Sequence, residues 1–130
     1  MYLLDTNALL IHFFDNISAN SLSEDALQII DDYPDIAVSI VSLWEIAIKK
    51  KQGKLKINYS IEEIAEACRG DGIHILPIDV KSIEKMVETD YPSDHKDPFD
   101  RIILSTALSE NMTLISTDNK MKQYDVKVLS

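Results

Sequence analysis

Four short acidic motifs are spread across the 130 residues of this chain, and each lies where a strand or loop is expected to lead into a helix. Their candidate metal ligands are Asp5, Glu45, Asp100 and Asp118. Carboxylates so far apart in the sequence can meet only through the fold, and several like charges in one cleft require a cation. Charge-dense sites built from oxygen ligands select hard divalent ions such as Mg²⁺ or Mn²⁺. These residues therefore indicate metal-assisted chemistry on a phosphate group.

Two of these carboxylates also have a competing explanation at the start of a helix. Asp5 could cap the helix that follows it, but Thr6 and Asn7 are suitable caps too and would leave Asp5 for another role. Ser42 and Glu45 have the spacing of a capping box, in which the glutamate reaches back to the N–H of the capping residue. The whole set of acids favours function for Asp5, whereas Glu45 taken alone favours the cap.

The third motif holds two acids of different character. Asp97 followed by Pro98 is typical of a helix cap and the first helical position, so Asp97 is the better cap candidate, and whether it is also a metal ligand or an accessory acid stays open. Asp100 lies on the core-facing stripe of the same predicted helix, together with Ile103, Leu104 and Ala107. A carboxylate on such a stripe must be paired or bound to a metal, which makes Asp100 the better ligand candidate.

The remaining polar candidates are less specific. Asp118 follows an apolar strand and either caps a short helical turn or faces the functional edge of the fold. The hydroxyls of Thr6, Ser116 and Thr117 could orient carboxylates or metal-bound waters, although turn and cap chemistry explains them equally well. The three histidines share no metal-ligand spacing: His12 and His74 lie in apolar stretches and are predicted to pack, and His95 lies on a loop that can approach the site.

The charge balance limits the kind of partner that the chain can bind. A net charge of −9 makes it a poor general binder of nucleic acids, whose affinity depends on neutralising phosphates. Acids that hold a metal would attract a phosphate instead of repelling it. One basic run, from Lys49 to Lys56, either forms a solvated helix end or contacts a phosphate backbone on the way to the cleft.

The elements that must position these residues alternate along the chain. Strands are predicted at 2–4, 36–39, 73–76, 113–116 and 126–129. Helices are predicted at 7–14, 21–33, 42–52, 60–69, 79–87 (starting at either Asp79 or Ser82) and 97–111. Apolar strands that alternate with helices predict one α/β domain over residues 1–130, with a parallel sheet covered on both faces. Ligands bind outside the carboxyl ends of such strands, so Asp5 and Asp118 are expected at the same edge.

A single cysteine, Cys68, is expected to be a buried thiol in a reducing cytoplasm. No signal peptide or membrane span is expected.

The four motifs together resemble the PIN-domain family, and specifically the VapC-type toxins of bacterial and archaeal toxin–antitoxin pairs. The matching segments span essentially the whole chain and lie at residues 4–7, 42–49, 97–107 and 114–118. The resemblance implies a three-layer α/β/α fold with a central parallel sheet of about five strands. It also implies an endoribonuclease dependent on Mg²⁺ or Mn²⁺, a homodimer, and a small antitoxin that blocks the cleft. The implied metal site is formed by Asp5, Glu45, Asp100 and Asp118.

Further residues complete this expectation. The accessory positions are Asp97, Thr6, Asn7 and Thr117, and the candidate RNA contacts are Lys49, Lys50 and Arg101. Two phosphotransfer folds are disfavoured. A haloacid-dehalogenase phosphatase needs a second aspartate where Asn7 stands, and a receiver domain needs a phosphoacceptor aspartate that the middle strands lack. A PIN-like scaffold that has lost catalysis remains the alternative, although all four acids are retained.

Overall fold

A five-stranded parallel sheet forms the centre of the computed structural model, which describes all residues 1–130. Its strands are β1 (Tyr2–Leu4), β2 (Ile36–Ser39), β3 (His74–Leu76), β4 (Thr113–Ile115) and β5 (Val128–Leu129). Their order across the sheet is β3-β2-β1-β4-β5, and every pair is parallel. The predicted fold class is confirmed. The last strand begins two residues later than predicted, since only Val128 and Leu129 pair with β4.

Six helices and one 3₁₀ helix connect these strands. They are α1 (Thr6–Phe13), α2 (Glu24–Asp32), α3 (Ile40–Lys51), α4 (Ile61–Gly70), α5 (Val80–Glu88), α6 (Pro98–Ser109) and the 3₁₀ helix Asn119–Gln123. The expected caps at Ser23, Asp79 and Asp97 each accept a hydrogen bond from a backbone N–H of the first turn. None of the helices combines the length and apolar character that a membrane span requires.

The start of α3 differs from the prediction. The helix begins at Ile40, capped by Ser39, whose hydroxyl accepts the Val41 N–H at 3.1 Å. The strand β2 therefore runs into α3 without a loop, and Ser42 already lies inside the first turn. The predicted capping box between Ser42 and Glu45 is wrong for this reason.

Two apolar cores lie on opposite faces of the sheet. Leu4 packs into the core that is covered by α1 to α4, and Leu3 packs into the core that is covered mainly by α5 and α6. Successive side chains of a strand point to opposite faces, so β1 supplies both cores. This gives the three-layer architecture, and Cys68 is buried in the first core as expected.

The sheet order reverses direction at β1, with β2 and β3 on one side and β4 and β5 on the other. Such a reversal leaves a crevice outside the carboxyl ends of the strands. Leu4 lies in register with Val38 on β2 and with Ile115 on β4. The next residue of each strand segment therefore reaches the same edge, which places Asp5 between Ser39 and Ser116.

Of the two histidines that were predicted to pack, His12 does so and His74 does not. His74 is exposed, because it begins β3 at the margin of the sheet. The His12 side chain is 13% exposed, its ring centroid lies 4.7 Å from that of Phe13, and its Nε2 lies 2.9 Å from a carboxylate oxygen of Asp71. Both positions lie outside the cleft described below.

Candidate active site

One polar cleft of about 630 Å³ opens at the carboxyl edge of the sheet, and Leu10 is its only hydrophobic lining residue. The five carboxylates that line it are Asp5, Glu45, Asp97, Asp100 and Asp118. All four predicted ligands and the accessory acid therefore lie in the same cleft. Thr6, Asn7 and Thr117, which were predicted as accessory residues, also line it.

Asp5 is both a helix cap and a cleft residue. Its Oδ1 accepts the Ala8 N–H at 2.8 Å, so the expectation that Thr6 or Asn7 would cap α1 is wrong. The side chain is only 5% exposed. Burial raises the pKa of Asp5 to about 6, and the nearby Asp118 and Glu45 add to this rise, whereas hydrogen bonds from Ser116 and Ala8 oppose it. Asp5 is therefore a carboxylate that gains from a neighbouring cation.

The two carboxylate oxygens of Glu45 each contact a neighbouring side chain. The Thr6 hydroxyl donates to Glu45 Oε1 at 2.6 Å, and Lys49 Nζ lies 2.9 Å from Oε2. The side chain is 4% exposed, and Ser42, its supposed capping partner, instead lies 2.9 Å from the Thr6 hydroxyl. Glu45 is thus oriented toward the cleft by groups on α1 and α3.

Asp100 lies in the first turn of α6, next to the cap residue Asp97. Burial is the main cause that raises the pKa of Asp100 to about 7, and the neighbouring carboxylates contribute to this rise; they are Asp97, Glu45, Asp5 and Asp118. Asp97 itself is exposed and accepts the Phe99 N–H at 2.9 Å, as expected for a cap. Asp100 is thus the more buried of the two acids, and its ranking above Asp97 as a metal ligand stays a prediction.

The loop after β4 completes the acidic wall. Asp118 caps the 3₁₀ helix by accepting the Lys120 N–H at 2.9 Å, and its own N–H donates to the Ser116 hydroxyl at 3.0 Å. Asn7 Nδ2 donates to the Thr117 hydroxyl at 2.9 Å, which ties α1 to this loop. The polar residues beside the acids therefore fix the two segments that carry Asp5 and Asp118.

His95 approaches the site from the loop before α6. Its imidazole is 2% exposed, and its Nδ1 lies 2.5 Å from the Tyr124 hydroxyl. Its Nε2 is the one buried side-chain nitrogen or oxygen without a hydrogen-bond partner, and it lies 3.8 Å from Asp100 Oδ2. Burial lowers the pKa of His95, although the nearby Asp118 opposes this, so burial disfavours the charged imidazole. The sequence placed His95 near Asp97 but gave no sign of its burial.

The three candidate RNA contacts have different surroundings. Lys49 lines the cleft beside Glu45. Lys50 donates to the Tyr59 carbonyl at 2.6 Å, whereas Arg101 donates through Nε to the His95 carbonyl at 2.8 Å and stacks 4.5 Å above the Tyr91 ring. Lys50 and Arg101 lie off the cleft, and their contact with RNA remains a prediction.

An aromatic pair, formed by the exposed Trp44 and the partly buried Phe99, lies beside the acidic residues. Trp44 is 59% exposed, and its ring meets the Phe99 ring edge to face, with centroids 5.4 Å apart. Trp44 directly precedes Glu45, and Phe99 directly precedes Asp100. The sequence suggested only an apolar surface here, because it does not reveal that the indole lacks a covering neighbour.

The cleft fits a divalent cation on the chemistry of its donors. Two of its carboxylates, Asp5 and Asp100, have raised pKa values, and two lysines, Lys49 and Lys120, are the only basic residues of the lining. Five carboxylates with two ammonium groups leave an excess of negative charge that a hard cation would neutralise. Such a site can bind a phosphate through the cation and hold it against the polar wall.

Comparisons with known proteins agree with this architecture. The family model of the PIN domain matches residues 2–127. FitAcB from Neisseria gonorrhoeae is 19% identical with a TM-score of 0.66, and the alignment covers 100% of this chain and 97% of that one. A toxin–antitoxin complex from Klebsiella pneumoniae is 22% identical with a TM-score of 0.61 and coverages of 100% and 97%.

A third similar structure is VapBC2 from Rickettsia felis bound to a DNA fragment from their promoter. It is 19% identical with a TM-score of 0.67, and the alignment covers 99% of this chain and 96% of that one. Among curated proteins, no sequence matches significantly. The likeness to these structures is one of fold.

Proposed function

This chain belongs to the PIN domain family, whose members are nucleases, and on that premise we propose that it is an endoribonuclease dependent on Mg²⁺ or Mn²⁺. We further propose that it acts as the toxin of a toxin–antitoxin pair. One observation carries the assignment: Asp5, Glu45, Asp100 and Asp118 come from four distant segments and line one cleft. Helix capping accounts for individual acids, but it does not require them to converge.

The proposed metal ligands are Asp5, Asp100 and Asp118, with Glu45 as a further ligand of the same or a second ion. When bound by these carboxylates, a divalent cation would supply Lewis acidity, which lowers the pKa of a water nucleophile and offsets charge on the leaving 3′ oxygen. Neighbouring groups of the protein orient the carboxylate ligands. Thr6 and Lys49 hold the two oxygens of Glu45, and the Ala8 N–H holds Asp5.

Protons must leave the site before it can hold a cation. The pKa of Asp100 is raised to about 7 and that of Asp5 to about 6, mainly by burial, so both acids are partly protonated in mildly acidic solution. Cation binding therefore competes with protons, and occupancy rises with pH through this range. The same burial makes the ionised carboxylates strong ligands, because little water competes with the cation.

The RNA strand is proposed to enter along α3. Lys49 supplies the one lysine on that wall of the cleft, and Trp44 offers an exposed ring on which an unstacked base can lie. Lys50 and Arg101 are proposed as outer backbone contacts. The net charge of the chain is −9, and a few basic side chains can offset it only if the acidic residues hold a metal ion. RNA binding should therefore depend on the divalent metal ion.

The proposed partners are a second copy of the chain and a small antitoxin that covers the cleft, with residues 1–130 acting as one domain in the cytoplasm. The similar structure from Klebsiella pneumoniae, at 22% identity, is a toxin–antitoxin complex. The support for these partners is therefore a shared fold together with the acidic cleft.

The test is expression in a bacterial host with and without the adjacent small open reading frame. Asp5→Asn should abolish growth arrest and in-vitro RNA cleavage in Mn²⁺. Asp79→Asn is a matched control, because Asp79 also caps a helix through a 2.8 Å hydrogen bond but lies outside the cleft. Full cleavage by Asp5→Asn, or full activity in EDTA, would refute the assignment. Sequencing the RNA ends that form during arrest would identify the target.

The alternative is a scaffold that binds RNA or protein without cleaving it. Calorimetry separates the two, because the catalytic assignment requires Mn²⁺ binding that Asp5→Asn weakens. Absence of Mn²⁺ binding in the wild type would favour the scaffold.

A further inference from the structure

One buried imidazole nitrogen points at the acidic site without a partner. His95 is 2% exposed, yet its Nε2 makes no hydrogen bond. Leaving a buried polar atom unsatisfied is unfavourable, and native proteins rarely do so without a bound water, ion or function. The atoms nearest to it that bear on function are carboxylate oxygens of the cleft.

The imidazole is held in a fixed orientation. Nδ1 lies 2.5 Å from the Tyr124 hydroxyl, and the ring packs beside those of Tyr91 and Tyr124, with centroids 6.2 and 5.5 Å away. The backbone is held too, because Arg101 donates to the His95 carbonyl. Metal-binding histidines usually hydrogen-bond through their second nitrogen in this way, which fixes the ring and its tautomer.

The separation between His95 Nε2 and Asp100 Oδ2 is 3.8 Å. This is too long for a hydrogen bond. Two ligand atoms that share one cation at roughly 2.1 Å each lie about 3–4 Å apart, so the separation suits co-ligands. One ligand atom from each of His95, Asp100 and Asp118 lies within 4.8 Å of the other two.

We propose that His95 Nε2 is a direct metal ligand that joins Asp100 and Asp118, and that this corner of the cleft prefers Mn²⁺ to Mg²⁺. The preference follows from the ligand type, because imidazole suits transition-metal ions whereas Mg²⁺ favours oxygen ligands and retained waters. This role rests on the proposed function, since it specifies the composition of the same metal site. Tyr124 is then the positioning residue that sets the imidazole.

The competing arrangement is a purely oxygen-ligated ion, with His95 linked to Asp100 through a water molecule. The two arrangements differ in one observable, the presence of nitrogen in the coordination sphere. Electron spin echo envelope modulation of the Mn²⁺-loaded protein detects a directly bound ¹⁴N. This readout does not depend on RNA cleavage.

The experiment compares the wild type with His95→Phe, Tyr124→Phe and His74→Phe. His95→Phe keeps an aromatic ring but removes both nitrogens, and His74→Phe controls for loss of an exposed histidine outside the cleft. We expect ¹⁴N modulation in the wild type and in His74→Phe, and none in His95→Phe. By calorimetry, His95→Phe should weaken Mn²⁺ binding about 10- to 100-fold and Mg²⁺ binding much less, and Tyr124→Phe should weaken Mn²⁺ binding about 10-fold.

The outcomes separate this role from the proposed function. A wild type that binds Mn²⁺ and cleaves RNA but shows no ¹⁴N modulation overturns the histidine ligand and leaves the nuclease standing. Modulation that persists in His95→Phe overturns it as well. A wild type that binds neither ion overturns both. If His95→Phe does not fold, the wild-type spectrum still decides, because it alone reports whether nitrogen is bound.

Discussion

Asp100→Asn should stabilise the metal-free protein while abolishing its function. The pKa of Asp100 is raised from 3.8 to about 7, first by burial and then by four neighbouring carboxylates. The folded state therefore prefers the protonated form, and ionisation costs free energy that the unfolded chain does not bear. Asparagine has nearly the same shape and carries no charge at any pH, so it removes this cost.

The magnitude follows from linkage. A rise of about 3 pKa units corresponds to about 4 kcal/mol for a fully buried group in the pH range where the acid must ionise. The side chain is 29% exposed, so solvent screening reduces the expected gain to about 2 kcal/mol. The pKa of this acid is higher in the folded protein than in the unfolded chain. The free energy of unfolding is therefore highest below the pKa of the unfolded chain, and it falls as the pH rises through the pKa of the folded protein. The increase in the free energy of unfolding caused by Asp100→Asn should thus be near zero at pH 4 and should reach its full size at pH 8.

Urea denaturation in EDTA at these two pH values provides the assay, with Asp79→Asn as the control. Hydrogen bonds from Ser82 lower the pKa of Asp79 and outweigh the opposing effect of burial, so its charge stabilises the fold at high pH. Its replacement should therefore give no gain at pH 8. If Asp100→Asn were less stable than the wild type at pH 8, or if its effect were the same at both pH values, burial of a charge would not be the cause of the pKa shift.

Four further outcomes are expected. Stabilisation of the wild type by Mn²⁺, measured as a shift in Tm, should be larger at pH 8 than at pH 5.5, because both raised carboxylates must lose a proton to bind the ion. Thr6→Val should lower RNA cleavage about 10- to 100-fold with the fold retained, because Glu45 loses its 2.6 Å hydrogen bond; unchanged turnover would contradict this. Trp44→Ala should weaken RNA binding by about 1–3 kcal/mol and lower Tm only slightly, through loss of the contact with Phe99, as filter binding and thermal melts can show. Lys49→Met should reduce the salt dependence of RNA affinity by about one unit of slope, whereas Lys54→Met, outside the cleft, should change it less.

The helices and strands were largely predictable because their signals are local. Ser23, Asp79 and Asp97 are capping residues next to apolar periodic segments, and each begins a helix as expected. Where two local signals competed, the prediction failed. Ser39 and Ser42 are both good caps, and the choice between them depends on how far β2 remains paired in the sheet.

The roles of the acids were harder to predict, because capping and cleft lining looked like alternatives. In the fold they coexist: Asp5 and Asp118 each accept a backbone N–H and still line the cleft. A carboxylate has two oxygens and several lone pairs, so it can accept one backbone N–H and still bind a metal ion or another donor.

The sequence by itself was enough to predict the parallel α/β architecture and to identify four carboxylates as candidate ligands, because hydrophobic patterns and short motifs can be read locally. Only the tertiary structure decided what surrounds each candidate. Thr6 reaches Glu45 across 39 positions, and Asn7 reaches Thr117 across 110. The burial that raises the pKa of Asp100 and leaves His95 Nε2 without a partner also arises from packing between distant segments. Solvent exclusion depends on every neighbouring element at once, and no spacing within one motif specifies it.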